Sequence, residues 1–293
     1  MTALRSLLFV PGDSEKKLSK SEGIPADAII LDLEDSVAPE NKAAARQLAR
    51  DFLLARQGER RQQLWVRINP LDQQDAGADL AAVMPAAPDG IMLPKARSPE
   101  DVELLGRRMG TYEAEHEMQV GATRILPLVT ETPAALFNLG EYCKAGKRLA
   151  GLSWGAEDLA AAVGATANRD EDGNWTSPYR MVRNLCLFAA HAAQVEAIDT
   201  IHTNFRDADG LARSCAEARR DGFSGKLAIH PAQVEVINRA FTPGEDEIAY
   251  AWRVVELFEA NPGAGTLALE GVMLDIPHLK QARKILELAE LNN

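Results

Sequence analysis

Short apolar runs of about five residues recur along the chain. Each leads into a polar turn and then into a stretch where apolar positions return every three or four residues. The runs predict strands at Ser6–Val10, Ala28–Leu33, Leu64–Ile68, Gly90–Leu93, Ile125–Val129, Leu149–Ser153, Ala197–Ile201 and Leu227–Ile229. Helices are predicted between them, among them Pro39–Leu54, with Pro39 suited to a first turn, and Pro99–Met109, with Ser98 as N-cap. Strand alternating with helix implies parallel strands joined by crossovers, and eight such units make a (β/α)8 TIM barrel of the α/β class. A doubly wound sheet is the alternative, but no G-x-G-x-x-G follows the first strand.

After the eighth strand the pattern changes. Gly244–Ala260 reads as a long helix, Asn261–Gly265 as a break, Thr266–Leu274 as an alternating strand and Pro277–Leu291 as a helix. The chain therefore divides into a barrel over residues 1–243 and a C-terminal hairpin/helix extension over residues 244–293. A closed barrel does not need this extension, which either packs on its own rim or reaches a neighbouring subunit.

Barrel chemistry is built at the carboxyl ends of the strands, and these ends carry polar residues. They run into Pro11-Gly12-Asp13, Glu34-Asp35, Arg67 and Asn69, Pro94-Lys95, Glu131-Thr132-Pro133, Trp154 to Asp158, His202-Thr203-Asn204 and His230-Pro231. Glu131 and Asp158 come from adjacent strands and could converge on one hard cation. Oxygen donors without paired Cys or His favour Mg²⁺. The alternatives are a helix-start acid for Glu131 and an N-terminal cap for Asp158. Arg67 lies inside an apolar run and needs a carboxylate, with Asp32, Glu34 or a substrate available; a purely structural ion pair fits equally well. Lys95 is either a catalytic amine or a salt-bridge donor. The helix start at Thr132-Pro133 would turn backbone N–H groups toward the strand end, where they and Glu131 could grip a small keto or hydroxy acid.

Composition narrows the partners. With 32 Lys and Arg against 43 Asp and Glu, the net charge is −11, which argues against a broad surface for nucleic acid or anionic lipid. No apolar run nears the roughly 18 residues that cross a bilayer, and no signal-peptide core follows Met1, so a cytoplasmic protein is expected. Cys143, Cys186 and Cys215 form no C-x-x-C pair, and the five histidines show no metal spacing, so neither a disulfide framework nor a zinc site is expected.

Together these segments resemble the citrate lyase β-subunit-like branch of the HpcH/HpaI aldolase superfamily, which includes malyl-CoA and citramalyl-CoA lyases. The resemblance rests on Arg5 to Gly12, Leu31 to Val37, Val66 to Asn69, Leu93-Pro94-Lys95, Glu131-Thr132-Pro133, Trp154 to Leu159, Ile229 to Gln233 and Gly271 to His278, in that order. It implies a (β/α)8 barrel, a C-terminal extension exchanged between subunits of a homo-oligomer (trimer or hexamer), and Mg²⁺-dependent cleavage of a C–C bond next to an acyl-CoA thioester. By motif, Glu131 and Asp158 would ligate the metal and Arg67 would face the thioester carbonyl as the enolate develops. Asp275 would be the base, delivered to a neighbour's site, although a helix-capping Asp before Ile276-Pro277 is the plainer reading. Glu34, Thr132 and Pro133 would border the substrate. Arg5, Lys17 and Lys20 would meet the CoA phosphates or form a solvated basic face. The products would be acetyl-CoA and pyruvate or glyoxylate. A malyl-CoA thioesterase and a citryl-carrier-protein lyase are alternatives within the fold. A non-catalytic subunit would have lost Arg67, Glu131 or Asp158, and all three are present.

Overall fold

The computed structural model describes residues 4–58 and 60–291. Eight parallel strands among them pair in the order β5-β4-β3-β2-β1-β8-β7-β6. They are β1 (Ser6–Pro11), β2 (Ala28–Asp32), β3 (Gln63–Arg67), β4 (Gly90–Leu93), β5 (Arg124–Pro127), β6 (Gly151–Ser153), β7 (Glu196–Asp199) and β8 (Gly225–Ala228). Parallel bridges Ile125↔Leu149 and Leu128↔Ser153 join β5 to β6 and close the barrel, which rules out the doubly wound sheet. Every predicted strand forms, with ends shifted by up to two residues.

Alternation along each strand splits the core in two. Leu7, Ile30, Trp65, Met92, Leu126, Ile198 and Leu227 fill the interior. The Trp65 indole takes the space beside Gly90, where an added Cβ would stand 2.2 Å from the ring. Leu8, Ile29, Leu31, Val66, Ile91 and Ile125 face outward against the helices. Those helices include α1 (Glu15–Ser21), α2 (Lys42–Leu54), α3 (Asp75–Val83), α4 (Pro99–Glu115), α5 (Ala156–Val163), α6 (Ser177–Ala192), α7 (Ala208–Asp221) and α8 (Pro231–Phe241). Pro39–Asn41 is a 3₁₀ turn leading into α2, so that helix starts later than predicted. α4 runs past Met109 because Glu113, in its last turn, is buried against Arg148 and accepts the Gly121 and Thr123 N–H groups.

The extension forms α9 (Glu245–Glu259), β9 (Thr266–Leu269), β10 (Val272–Asp275) and α10 (Ile276–Leu291). The single strand expected over Thr266–Leu274 is an antiparallel hairpin, because Glu270 and Gly271 both take positive φ (52° and 83°) and reverse the chain. Its core is its own: Val254, Val255 and Phe258 pack on Leu274, Leu279 and Leu286. No helix among the described residues is long and apolar enough to cross a membrane.

Candidate active site

The register of β2 on β3 pairs Asp32 with Arg67 at the top of the interior column. Arg67 donates Nε to Asp32 Oδ1 at 2.7 Å and Nη2 to Oδ2 at 2.6 Å, and its Nη1 lies 3.0 Å from Glu34 Oε2. The guanidinium also lies 4.7 Å over the Phe9 ring. Burial opposes the charge on Arg67, but Asp32 and then Glu34 hold it above its ordinary pKa. Burial alone would raise the Asp32 carboxyl; Arg67 reverses this and holds it below the usual carboxylate range. The ion pair and a face open to the cavity therefore coexist in Arg67.

Lys95 follows β4 with φ of 51°, a left-handed conformation that is costly for a residue with a Cβ and is concentrated at functional sites. That turn aims its backbone N–H at Glu131 Oε2 (2.5 Å), while its ammonium reaches Glu34 Oε1 (2.6 Å) and Asp158 Oδ1 (3.2 Å). One residue thus ties three acids together. Burial opposes its charge, but Glu34, Glu131 and Asp158 hold the ammonium above its ordinary pKa, which leaves no free amine for a Schiff base near neutral pH.

Glu131 is 4% exposed and folds over Gly155, where an added Cβ would stand 2.6 Å from Glu131 Cγ. Burial, and after it the charges of Asp158 and Glu34, pushes its carboxyl up to about 8. Such a shift marks a site short of positive charge. No group of three or more His, Cys, Asp or Glu side chains has metal-ligating geometry among the described residues. A cation held by Glu131 and Asp158 would therefore complete its shell with water and substrate oxygens, as Mg²⁺ commonly does. The donor set fits that ion.

Arg67, Glu131 and Asp158 line one cavity of about 360 Å³, whose other walls are largely apolar, with Phe9, Leu128, Trp154, Leu227 and Ile229. Trp154 is held by its Nε1–H, which donates to Asp199 Oδ1 at 2.8 Å. Asp199 is fully buried and pairs with Lys226 at 2.7 Å and Arg183 at 3.6 Å. The sequence reading missed this support, although Asp199 stands in an apolar run just as Arg67 does.

Other expected site residues fall elsewhere. Arg5 is a correction: it precedes β1, its guanidinium pairs with Asp27 (2.8 Å) and donates to Thr242 Oγ1 (2.9 Å), and so it locks the N-terminal end of the barrel. At about 3.3 Å per residue it lies roughly 20 Å from Pro11 and the mouth. Lys17 and Lys20 lie exposed on α1, without an ion pair among the described residues. Glu34 stands behind the cavity, held by Arg67 and Lys95. Thr132 and Pro133 follow Glu131 but do not line the cavity. They open a 3₁₀ helix (Pro133–Lys144) in which the Ala135 N–H already bonds to the Thr132 carbonyl, and Pro133 has none to offer, so the expected carboxylate cradle is thin. Asp275 ends β10, half exposed and bonded to His278, and does not line its own chain's cavity.

A closed (β/α)8 barrel with a carboxylate pair and a buried guanidinium converging at its mouth is the framework of a barrel enzyme whose site can take a hard cation. The sequence matches the HpcH/HpaI aldolase/citrate lyase family over residues 5–231, and the chain belongs to that family. It is 33% identical to the mitochondrial citramalyl-CoA lyase of Rattus norvegicus, covering 97% of this chain and 86% of that protein. It is 34% identical to the (3S)-malyl-CoA thioesterase of Cereibacter sphaeroides, covering 98% and 94%. Among solved structures, CitE from Mycobacterium tuberculosis in complex with magnesium, acetoacetate and coenzyme A superposes with a TM-score of 0.81 at 32% identity, covering 98% of both chains.

Proposed function

We propose that the protein is a Mg²⁺-dependent carbon–carbon lyase that cleaves a β-hydroxyacyl-CoA thioester, citramalyl-CoA or malyl-CoA, to acetyl-CoA and a 2-oxo acid. The observation that carries this reading is the convergence of Arg67, Glu131 and Asp158 on one cavity with surplus negative charge. The bound cation supplies electrophilic polarisation of the oxo-acid oxygens and the positive charge that the acids lack. Glu131 and Asp158 hold it, and Lys95 holds both of them in place. Arg67, fixed from behind by Asp32, presents its charge where the thioester oxygen becomes an enolate. The apolar walls exclude water from that oxygen.

The reaction also needs a group to take the hydroxyl proton. The partner subunit's Asp275 fits this role in a homo-oligomer. The residue ends a self-packed extension and is flanked by exposed Val272, Met273 and Ile276, an apolar edge suited to docking on another copy. Lys17 and Lys20, on the helix that follows β1, suit the CoA phosphates. The barrel (residues 1–243) is the catalytic unit, the extension (residues 244–293) is its partner-directed part, and the cytoplasm is its compartment.

The test is product identification from malyl-CoA and citramalyl-CoA with Mg²⁺ and with excess EDTA. Acetyl-CoA with glyoxylate or pyruvate, abolished by EDTA, is expected. Release of free CoA alone would make the protein a thioesterase, the reading that the Cereibacter relative favours. Full activity in EDTA would remove the metal assignment.

A further inference from the structure

The catalytic cavity has a neighbour. Thr200 and Ile201, just after β7, line the first cavity; His202 and Thr203, next along the same loop, line a second of about 410 Å³. The rings of Trp154 and Trp175, 4.9 Å apart and edge to face, stand between the two. Three arginines line the second cavity, Arg169, Arg180 and Arg213, and none forms an ion pair among the described residues. Arg169 lies 3.5 Å over the Trp175 ring and donates to the Gly173 carbonyl at 2.6 Å.

His202 provides an independent sign of a ligand. Its side chain is 12% exposed, both ring nitrogens are buried, and neither has a hydrogen-bond partner among the described residues. The nearest carboxylate, Asp207, stands 3.8 Å away and is already engaged as the N-cap of α7, accepting the Gly210 N–H. Burial, then the charges of Lys226 and Arg169, keeps the imidazole neutral, so it offers one donor and one acceptor. A buried polar ring with both nitrogens idle is costly, and no group among the described residues satisfies it. Asp172, Asp207 and Glu217 also border the cavity; Asp172 and Glu217 are exposed, and Glu217 acts on Arg169 only through its charge, without an ion pair among the described residues. The location is apt as well, since barrels often hold phosphate at the loops that follow the seventh and eighth strands.

We propose that this cavity is a second ligand site that binds a small phosphorylated anion, with Arg169, Arg180 and Arg213 on its oxygens and His202 bonded to it from below. Guanidinium groups recognise phosphate through paired N–H donors. Two sources share this chemistry: the phosphates of the CoA substrate itself, and a free phosphorylated effector.

The probe is inorganic diphosphate, titrated calorimetrically into the full chain in its native assembly. Saturable binding is expected, weakened at least about tenfold in Arg169→Gln and in Arg213→Gln, the size of one lost charge-assisted hydrogen bond. Arg213 is exposed, so its variant should fold even if Arg169→Gln disturbs Trp175. No saturable binding at millimolar diphosphate, or binding unchanged in both variants, overturns the proposal. Displacement of diphosphate by CoA but not by pantetheine assigns the site to the substrate's phosphates, in place of Lys17 and Lys20. Diphosphate binding that persists at saturating CoA assigns it to a separate effector. Only the first assignment rests on the thioester reading, and the diphosphate titration does not, so the cavity and the lyase function can fail separately.

Discussion

Gly155→Ala isolates the geometry of the cation site without removing any charged group. The new Cβ would stand 2.6 Å from Glu131 Cγ and 2.9 Å from Oε1, where ordinary contact begins at 3.4 Å, so the Glu131 side chain must retreat by about 0.8 Å. Glu131 has little room to do so, being 4% exposed and tied through Oε2 to the Lys95 N–H at 2.5 Å. Overpacking of this kind costs about 1–3 kcal/mol, and loss of the charge-assisted bond to Lys95 costs a similar amount. A misplacement near 1 Å at a reacting centre typically lowers turnover about 100-fold. The expected result is a Mg²⁺ requirement raised by about one to two orders of magnitude, with kcat falling comparably at saturating metal and the melting temperature dropping by about 3–10 °C. Turnover would be followed by acetyl-CoA release across a Mg²⁺ titration, and folding by calorimetry. A variant that folds and keeps wild-type metal dependence and kcat would refute the view that Glu131, wedged over residue 155, holds the cation.

Three further outcomes follow from the same geometry. Arg67→Lys keeps a charge but cannot make the two-point contact with Asp32, so kcat/KM should fall at least about 100-fold; a change under threefold would remove Arg67 from enolate stabilisation. Asp275→Asn should leave metal and CoA binding intact while turnover drops by orders of magnitude, and near-wild-type turnover would take it out of the mechanism. Burial would raise the Asp199 carboxyl, but Lys226 and Arg183 hold it below its ordinary pKa, so the folded state binds fewer protons than the unfolded one. Its contribution is present above about pH 4 and is lost as pH falls through the folded value. Denaturant unfolding of Asp199→Asn should therefore show lower stability at pH 7 and a shallower acid limb, and an acid limb like that of the wild type would contradict the assignment.

Periodicity in the sequence specified the eight strands and the change of pattern after them, because each strand is buried on both faces and reads as a continuous apolar run. It blurred the strand ends, where backbone pairing rather than hydrophobicity sets the limit. It also merged β9 and β10, since a two-residue turn at Glu270-Gly271 barely interrupts the alternation. The gathering of Glu131, Asp158 and Arg67 at one end of the barrel was legible because charged groups at the ends of apolar runs are costly to bury without partners. Arg5 was misplaced because its number puts it near Gly12, whereas strand direction carries the two to opposite ends of the barrel.

Sequence alone thus determined the fold class, the end of the barrel where the polar residues gather, and the residue types available there, all of which depend on local pattern and strand polarity. Tertiary structure decided which charges meet. Lys95 holds three acids that lie 36 to 63 positions away in the chain, Asp199 steadies Trp154 from the next strand, and His202 is left without a partner beside three arginines. Those pairings depend on barrel closure, on register and on a left-handed turn at a lysine, and strand periodicity encodes none of them.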